Sequence, residues 1–371
     1  MPQAKHIVVI GAGYAGLAAA KLAARWTGAE VTLVNAVEKF VERVRLHQLA
    51  AGQELRDWPL AELLAGTGVR LVIGEVAEID PDGHTIGLAD DTELAYDTLI
   101  YALGSQADLD SVTGAGQHAH TVTDLARATA LRARLREGGT VAVIGGGLTG
   151  IEAAAELAES LPTVKVRLLT GGRLGAALSE KGRAHLRRTF DRLGVEVRED
   201  AVVIEVRADG VRLAGGEHVA ADTVVWTTGF RVPDLARAAG FAVDEHGRMI
   251  VDDTLRSASH PDVLAIGDAA AIHRPDGLEL RMACATGLPT TQHAVRALAA
   301  RMSGRPVGPL KFRYVNQCIS LGRKDALIQF VHNDDRPREA VLTGRFAALY
   351  KETVVRSATL FERHPTLPAS F

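Results

Sequence analysis

Residues 7–17 read IVVIGAGYAGL and residues 141–151 read VAVIGGGLTGI. Each is an apolar, β-branched run, then G-x-G-x-x-G, then an Ala-rich helical stretch. The glycines fall at Gly11, Gly13 and Gly16 and again at Gly145, Gly147 and Gly150, each copy displaced by 134 residues (145 minus 11). A lone G-x-G-x-x-G is a weak signal. Here each copy follows a strand-like run, opens a helix and is succeeded by a second β-branched strand, Val31–Val34 and Val166–Leu169. That is the context the motif requires. Its first glycine permits a tight turn, the second lets the backbone approach a pyrophosphate, and the third lets helix and strand pack closely. The helix N-terminus then offers free N–H groups and a partial positive charge to the phosphates. The plainer reading, two glycine-rich turns without a ligand, explains one copy more easily than two.

The rest of the composition narrows the class. The chain has 371 residues, enough for two or three domains. Lys and Arg number 42 against 45 Asp and Glu, a net charge of -3 with no basic tract, which argues against nucleic acid as a partner. Hydrophobic residues are 47% and charged residues 23%, a globular balance, with aromatics at only 5%. No apolar run is long enough to span a membrane. The first strand is expected by Ile7, which leaves no room for a signal peptide and places the chain in the cytoplasm. Two cysteines, Cys284 and Cys318, give neither a disulfide framework nor metal-ligand spacing, so no metal is expected.

Between and beyond the motifs, strands and helices alternate. Residues 69–79 and 84–89 read as strands of a meander turned at Pro81-Asp-Gly, and 96–104 as a buried strand ending at Gly104. Residues 105–120 read as a crossover linker. The second unit holds helices 124–137, 150–160 and 179–193 and strands 141–144, 195–206 and 222–228. A strand over 262–266 ends in Gly267-Asp268, and helix 290–303 follows, stopped by Gly304 and Pro306. Two strands, 312–321 and 325–332, and a helix at 345–361 complete the chain.

These residues resemble the two-dinucleotide-binding-domain flavoproteins of the pyridine nucleotide-disulfide oxidoreductase superfamily, closest to type II NADH:quinone dehydrogenases and apoptosis-inducing-factor-like oxidoreductases. GGGLTGIE (145–152), WTTGF (226–230), HPDVLAIGDAA (260–270) and LPTTQHA (288–294) carry the likeness, which spans about residues 5–335. It implies an α/β fold of two Rossmann-like dinucleotide-binding domains, the second inserted in the first, plus a small α+β C-terminal region. FAD would occupy 1–108 and 240–309, NAD(P)H 109–239, and 310–371 would form the C-terminal region.

The resemblance also implies roles. Gly11, Gly13 and Gly16, with Ala15 inside that motif, would cradle the FAD pyrophosphate. Gly145, Gly147 and Gly150, with Thr149, would cradle that of NAD(P)H. Asp268 resembles the aspartate that accepts from the flavin ribityl hydroxyls, and Gly267, Gly104, Gly229 and Arg43 join the cofactor set. A helix from about Pro289 would aim its N-terminus at the flavin pyrimidine oxygen. Glu152, two residues past the last glycine and read as lying in the first helical turn, matches a glutamate facing the flavin–nicotinamide contact. A carboxylate favoured by the helix dipole is the plainer account of it. His47 is a candidate proton donor or flavin attachment point, set against a simple pocket-lining histidine, and Gln48 lines the same pocket.

Three departures qualify the likeness. The acidic residue that normally holds the adenosine ribose is replaced by Asn35 in the first unit. In the second it is absent, and Arg173 stands nearby, a lean toward NADPH or toward use of both nucleotides. No redox-active cysteine pair lies in the first domain, which disfavours disulfide-reductase and sulfide:quinone-type chemistry. Gln292 matches the first of two quinone-site glutamines, but Val295 and Arg296 stand where the second belongs. The tail, 346–365, mixes Arg, Lys and Glu with apolar residues. We read it as a docked core or homodimer helix rather than as a peripheral membrane anchor. The expected activity is hydride transfer from NAD(P)H to FAD, then electron transfer to a quinone or other small acceptor. A reductase for a small redox protein such as ferredoxin, with Arg323 and Lys324 in a basic docking rim, is the first competitor. A slow NAD(P)H-sensing flavoprotein and a secondary-metabolism flavoenzyme are the others.

Overall fold

The run Ile7–Ile10 is wholly buried, as the middle strand of a parallel sheet must be when both faces are covered. Each such Val or Ile contributes about 1.5–3 kcal/mol on burial. The computed structural model describes residues 5–368. Its first sheet runs in the order Val263–Ala265, Thr98–Tyr101, His6–Ile10, Glu30–Asn35, Arg70–Ile73. Val9 pairs in parallel with Leu33 on one side and Ile100 on the other. The strand order reverses at His6–Ile10, so a ligand crevice opens beyond Ile10. The outermost strand, 263–265, is contributed by chain that follows the second unit.

The second sheet repeats the plan, in the order Glu196–Arg198, Val164–Leu169, Gly139–Ile144, Thr223–Trp226, Ala119–His120. The chain enters this unit through Gln106–Ala107 and leaves through Phe230–Arg231, and these two short strands pair antiparallel. An α/β fold of two Rossmann-like units, the second inserted in the first, is the architecture. The C-terminal part is α+β: strands Asn316–Ser320, Ala326–Val331 and Pro337–Thr343 form an antiparallel sheet, and helix Gly344–Arg363 follows. This sheet packs on the second unit, where Gln329 accepts from the Ser179 N–H and Glu339 from the Glu180 and Lys181 N–H groups.

The tail helix then returns to the first unit. Lys21 donates to the Glu362 and Arg363 carbonyls at 2.7 and 3.0 Å, a cation on the helix's C-terminal orphans. Thr359 donates to Glu42 at 2.8 Å, and Arg45 pairs with Glu352 at 2.9 Å. The helix is therefore docked. Its outer face nonetheless exposes Phe346, Leu349, Tyr350 and Leu360.

Glu362 is buried at this dock, and neither of its carboxyl oxygens has a partner among the described residues. Burial pushes its pKa well above the usual carboxylate value, with Lys21 opposing. The folded chain thus keeps Glu362 protonated where the unfolded chain ionises it, so this stability is full below about pH 4.3 and is lost as pH rises. Glu362→Gln should raise the melting temperature, more at pH 8 than at pH 5. Thermal melts at the two pH values check it, and an equal or inverted gain contradicts it.

Several elements differ from the sequence reading. Residues 69–79 are two strands rather than one: 70–73 joins the parallel sheet and Val76–Asp80 the meander, split at Gly74, whose N–H turns to the Asn35 carbonyl. Residues 195–206 likewise divide into 196–198 and Val203–Arg207. The helix expected at 290–303 begins earlier, at Cys284, with Pro289 inside it. A proline within the opening turns forgoes only one intrahelical bond, so it does not mark the start. The strand 337–343 was not anticipated; its residues are mostly exposed and show no apolar alternation.

Candidate active site

Two glycine loops define the site. Gly11 has φ +92°, and a Cβ there would sit 2.6 Å from the Ala102 carbonyl oxygen, so only glycine fits the turn. A Cβ on Gly16 would meet the Gly11 oxygen at 1.8 Å, whereas Gly13 has nothing within 4 Å. The loop is thus closed on the protein side and open on the crevice side, a cradle matching a pyrophosphate. The helix it opens, Tyr14–Thr27, has no side-chain N-cap, leaving its first N–H groups to a ligand. The second loop repeats this: Gly150 abuts the Gly145 oxygen, Gly147 is open, and helix Leu148–Ser160 is uncapped. Thr149 lies half-buried on its first turn.

Asn35 ends the second strand, and its side chain braces the first loop. Its Oδ1 accepts from the Ala12 N–H at 2.8 Å and its Nδ2 donates to the Val37 carbonyl at 2.7 Å. Asn35 thus braces the loop from the position where a ribose-binding carboxylate commonly stands. At the carboxyl ends of the neighbouring strands, three segments converge. Asp268 accepts from the Ser105 hydroxyl at 2.6 Å, and Arg43 donates to the Ser105 carbonyl at 2.5 Å. Burial pulls the Arg43 pKa down, with Asp268 and Asp124 opposing. Arg43 also stacks over Phe230 at 5.5 Å, beside Gly229. Gly267 packs toward Ala15, and Gly104 precedes Ser105, so the first loop, Asp268 and Arg43 share one crevice. Ser105 was missed, for it sits in what read as a linker.

Glu152 is the fifth residue of its helix, in the second turn rather than the first, and does not serve the helix dipole. It turns outward, accepts from the Ser320 N–H at 2.9 Å and pairs with Lys351 at 2.9 Å. Lys351 also donates to the Cys318 carbonyl at 3.1 Å. Burial alone would raise the Glu152 pKa, but Lys351 and His47 bring it below the usual value; burial would lower Lys351, but Glu152 raises it. Both groups stay ionised at neutral pH. Lys351 belongs to the tail helix, and no local pattern announced it.

Beside this pair lies a pocket of about 380 Å³, walled by Gln48, Ser320, Arg323, Lys324, Arg345 and Lys351 among others. Gln48 accepts from Arg45 at 3.1 Å. His47 is buried, and burial lowers its pKa to about 4, so the ring is neutral at pH 7. It is packed behind Gln48 rather than on the pocket surface, and a neutral ring is a weaker acid than a charged one. Its stabilising share is full above about pH 6.5 and is lost as pH falls toward 4, a span worth about 3 kcal/mol. His47→Asn should flatten the stability profile between pH 6.5 and 4, measured by denaturant unfolding; an unchanged slope contradicts this.

Gln292 is not in that pocket. Its Nε2 donates to the Pro365 and Leu367 carbonyls at 2.7 and 2.6 Å, so it holds the returning tail. Arg173 is exposed on a separate cavity in the second unit. Cys284 and Cys318 are both free, yet not remote: burial raises the Cys318 pKa to about 11, and Lys351 and Cys284 act on it. Among the described residues no cluster of His, Cys, Asp and Glu could hold a metal.

Two uncapped glycine cradles facing two sheets define a dinucleotide-binding oxidoreductase. The family model of pyridine nucleotide-disulphide oxidoreductases matches residues 5–297, and the chain belongs to that family. It is 31% identical over 374 residues to an NADH dehydrogenase-like protein of Mycobacterium tuberculosis, covering 94% of this chain and 92% of the relative. It is 26% identical over 371 residues to a demethylphylloquinone reductase of Synechocystis, covering 93% and 92%. Among solved structures, the sulfide:quinone oxidoreductase of Aquifex aeolicus superposes with a TM-score of 0.82 at 21% identity, covering 98% of this chain and 92% of that one, a likeness of fold. FAD and NAD(P)H are the cofactors, and the open, uncapped loops fit their pyrophosphates.

Proposed function

We propose that the chain is an FAD-dependent oxidoreductase that takes hydride from NAD(P)H and delivers electrons to a small acceptor of the quinone class in the pocket beside Lys351. The observation that carries this reading is the buried Lys351–Glu152 pair, which joins the second glycine helix to the pocket wall. Bound FAD supplies the two-electron chemistry between the two substrates. The protein's own work is positional. The loop 11–16 holds the flavin dinucleotide, with Asp268, Ser105 and Arg43 fixing its ribityl end. The loop 145–150 holds NAD(P)H, and Glu152 spaces it from the flavin. Lys351 Nζ keeps a proton at the pocket wall for an acceptor oxygen, and Glu152 keeps that amine charged.

In this reading residues 1–108 and 240–309 form the flavin unit, 109–239 the NAD(P)H unit and 310–371 the part that builds the acceptor pocket. No helix among the described residues is long and apolar enough to cross a membrane. We place the chain in the cytoplasm, with its exposed tail face meeting a second copy. The ferredoxin-type alternative draws on one observation, the basic rim of Arg323, Lys324 and Arg345 around the pocket.

Steady-state assays with a soluble short-chain quinone and with a small acidic iron–sulfur protein separate the readings. Quinone turnover that survives Arg323→Glu and Lys324→Glu supports the proposal. Turnover confined to the protein acceptor, and abolished by those changes, overturns it.

A further inference from the structure

The pocket beside Lys351 is graded in both burial and charge. On its inner wall Gln48, Ser320 and Val355 are buried, and Lys351 pairs with Glu152. At its mouth Lys324 and Arg345 are exposed. Val44, Ala348 and Leu349 add apolar wall. Arg345 lies on the first turn of helix Gly344–Arg363, which carries no acidic residue there, so the helix dipole adds to its charge. Lys351 follows six residues on (351 minus 345), about 9 Å along the axis at about 1.5 Å per residue. The volume, about 380 Å³, is that of a small-molecule site.

The two cations at the mouth are uncompensated. Neither Lys324 nor Arg345 makes an ion pair or a side-chain hydrogen bond among the described residues. The nearby carboxylates are engaged elsewhere. Glu352, the one acid on the pocket wall, pairs with Arg45, Arg323 and Arg356. Asp325, next to Lys324, is held by His185, Thr189, Arg192 and the Gly344 N–H. Glu159 accepts from the Arg323 N–H. An exposed charge pair adds little to stability, but at the mouth of a pocket it selects among ligands. A neutral quinone leaves both cations idle, whereas a quinone that carries a carboxylate answers them. The spacing from Lys351 to Arg345 is one that a ring and a short side chain span.

We propose that the acceptor is an acidic quinone, its ring held against Lys351 and Gln48 and a carboxylate on its side chain met at the mouth by Lys324 and Arg345. The balance is NAD(P)H + H⁺ + quinone → NAD(P)⁺ + hydroquinone. The hydride brings both electrons and one proton, Lys351 gives the second proton and regains it from solvent, and the carboxylate leaves unchanged. The inference rests on the pocket beside Lys351 being the acceptor site.

Steady-state turnover of the FAD-loaded protein with a benzoquinone carrying a short carboxyalkyl chain, and separately with its methyl ester, tests it. The two share a ring and a potential and differ in charge. The expected result is a kcat/KM for the acid about tenfold above that for the ester, falling toward parity as salt rises. Lys324→Gln with Arg345→Gln should bring the ratio of acid to ester down to about one, with bound-flavin absorbance showing that the variant is folded. An acid no better than its ester at low salt, or a preference that the substitutions leave in place, overturns the carboxylate reading alone. If NAD(P)H reduces the flavin and neither quinone reoxidises it, the acceptor pocket falls as well.

Discussion

Lys351→Met is expected to cost about 3–5 kcal/mol of stability and most of the turnover with a quinone acceptor. The substitution keeps an unbranched, one-atom-shorter stem but removes the cation paired with Glu152 at 2.9 Å. Glu152 then keeps only the Ser320 N–H among its polar contacts, and burial raises its pKa. In the native chain its pKa is depressed, so its share of stability is present above about pH 4.3 and fades as pH falls through the folded value. Lys351→Met removes that share at neutral pH. Adding Glu152→Gln should recover much of the stability, because an uncharged pair leaves no stranded ion. Acceptor turnover should stay low in the double variant, while flavin reduction by NAD(P)H persists. Denaturant unfolding and stopped-flow kinetics read the two effects separately. Full acceptor turnover in a folded Lys351→Met protein would show that the amine has no part in it.

Gly150→Ala should cut the rate of flavin reduction by NAD(P)H about 100-fold while FAD stays bound. A methyl there would lie 1.9 Å from the Gly145 carbonyl oxygen and 2.7 Å from the Thr227 hydroxyl. The Gly145 backbone cannot yield that distance, and the half-buried Thr227 hydroxyl is tied to the Ile144 carbonyl, so the loop must shift, and a displacement of about 1 Å suffices for such a loss. The first glycine loop sits on a different sheet and is untouched. Rapid-mixing reduction kinetics on the flavin-loaded variant, beside the bound-flavin content, give the answer. Native reduction rates would mean that the second loop does not carry the nicotinamide nucleotide.

The fold was legible because its decisive signals are local. A buried β-branched strand, a glycine turn and an Ala-rich helix follow one another within a dozen residues, and both copies occupy the sheets as expected. Asp268 was named from its place after Gly267 and Arg43 from the family resemblance, and the structure brings both to Ser105. Glu152 could be located but not explained, since its partner Lys351 arrives on the last helix. Gln292 looked like a substrate ligand in sequence, yet the tail residues it holds lie far along the chain. The strand 337–343 escaped because an exposed edge strand needs no apolar period. The protonation state of His47 is hidden in the sequence for a related reason. Burial decides whether a histidine is an acid, and nothing in RVRLHQ shows that the ring is buried.

Hydride transfer to the flavin is read most directly by an anaerobic titration of the FAD-loaded protein with NADPH and NADH in separate runs, followed by the visible flavin absorbance. Stoichiometric bleaching within milliseconds by at least one nucleotide is expected, with return of the colour on adding a soluble quinone. A bound flavin that neither nucleotide reduces would contradict hydride transfer at the second glycine loop, and with it the proposed function.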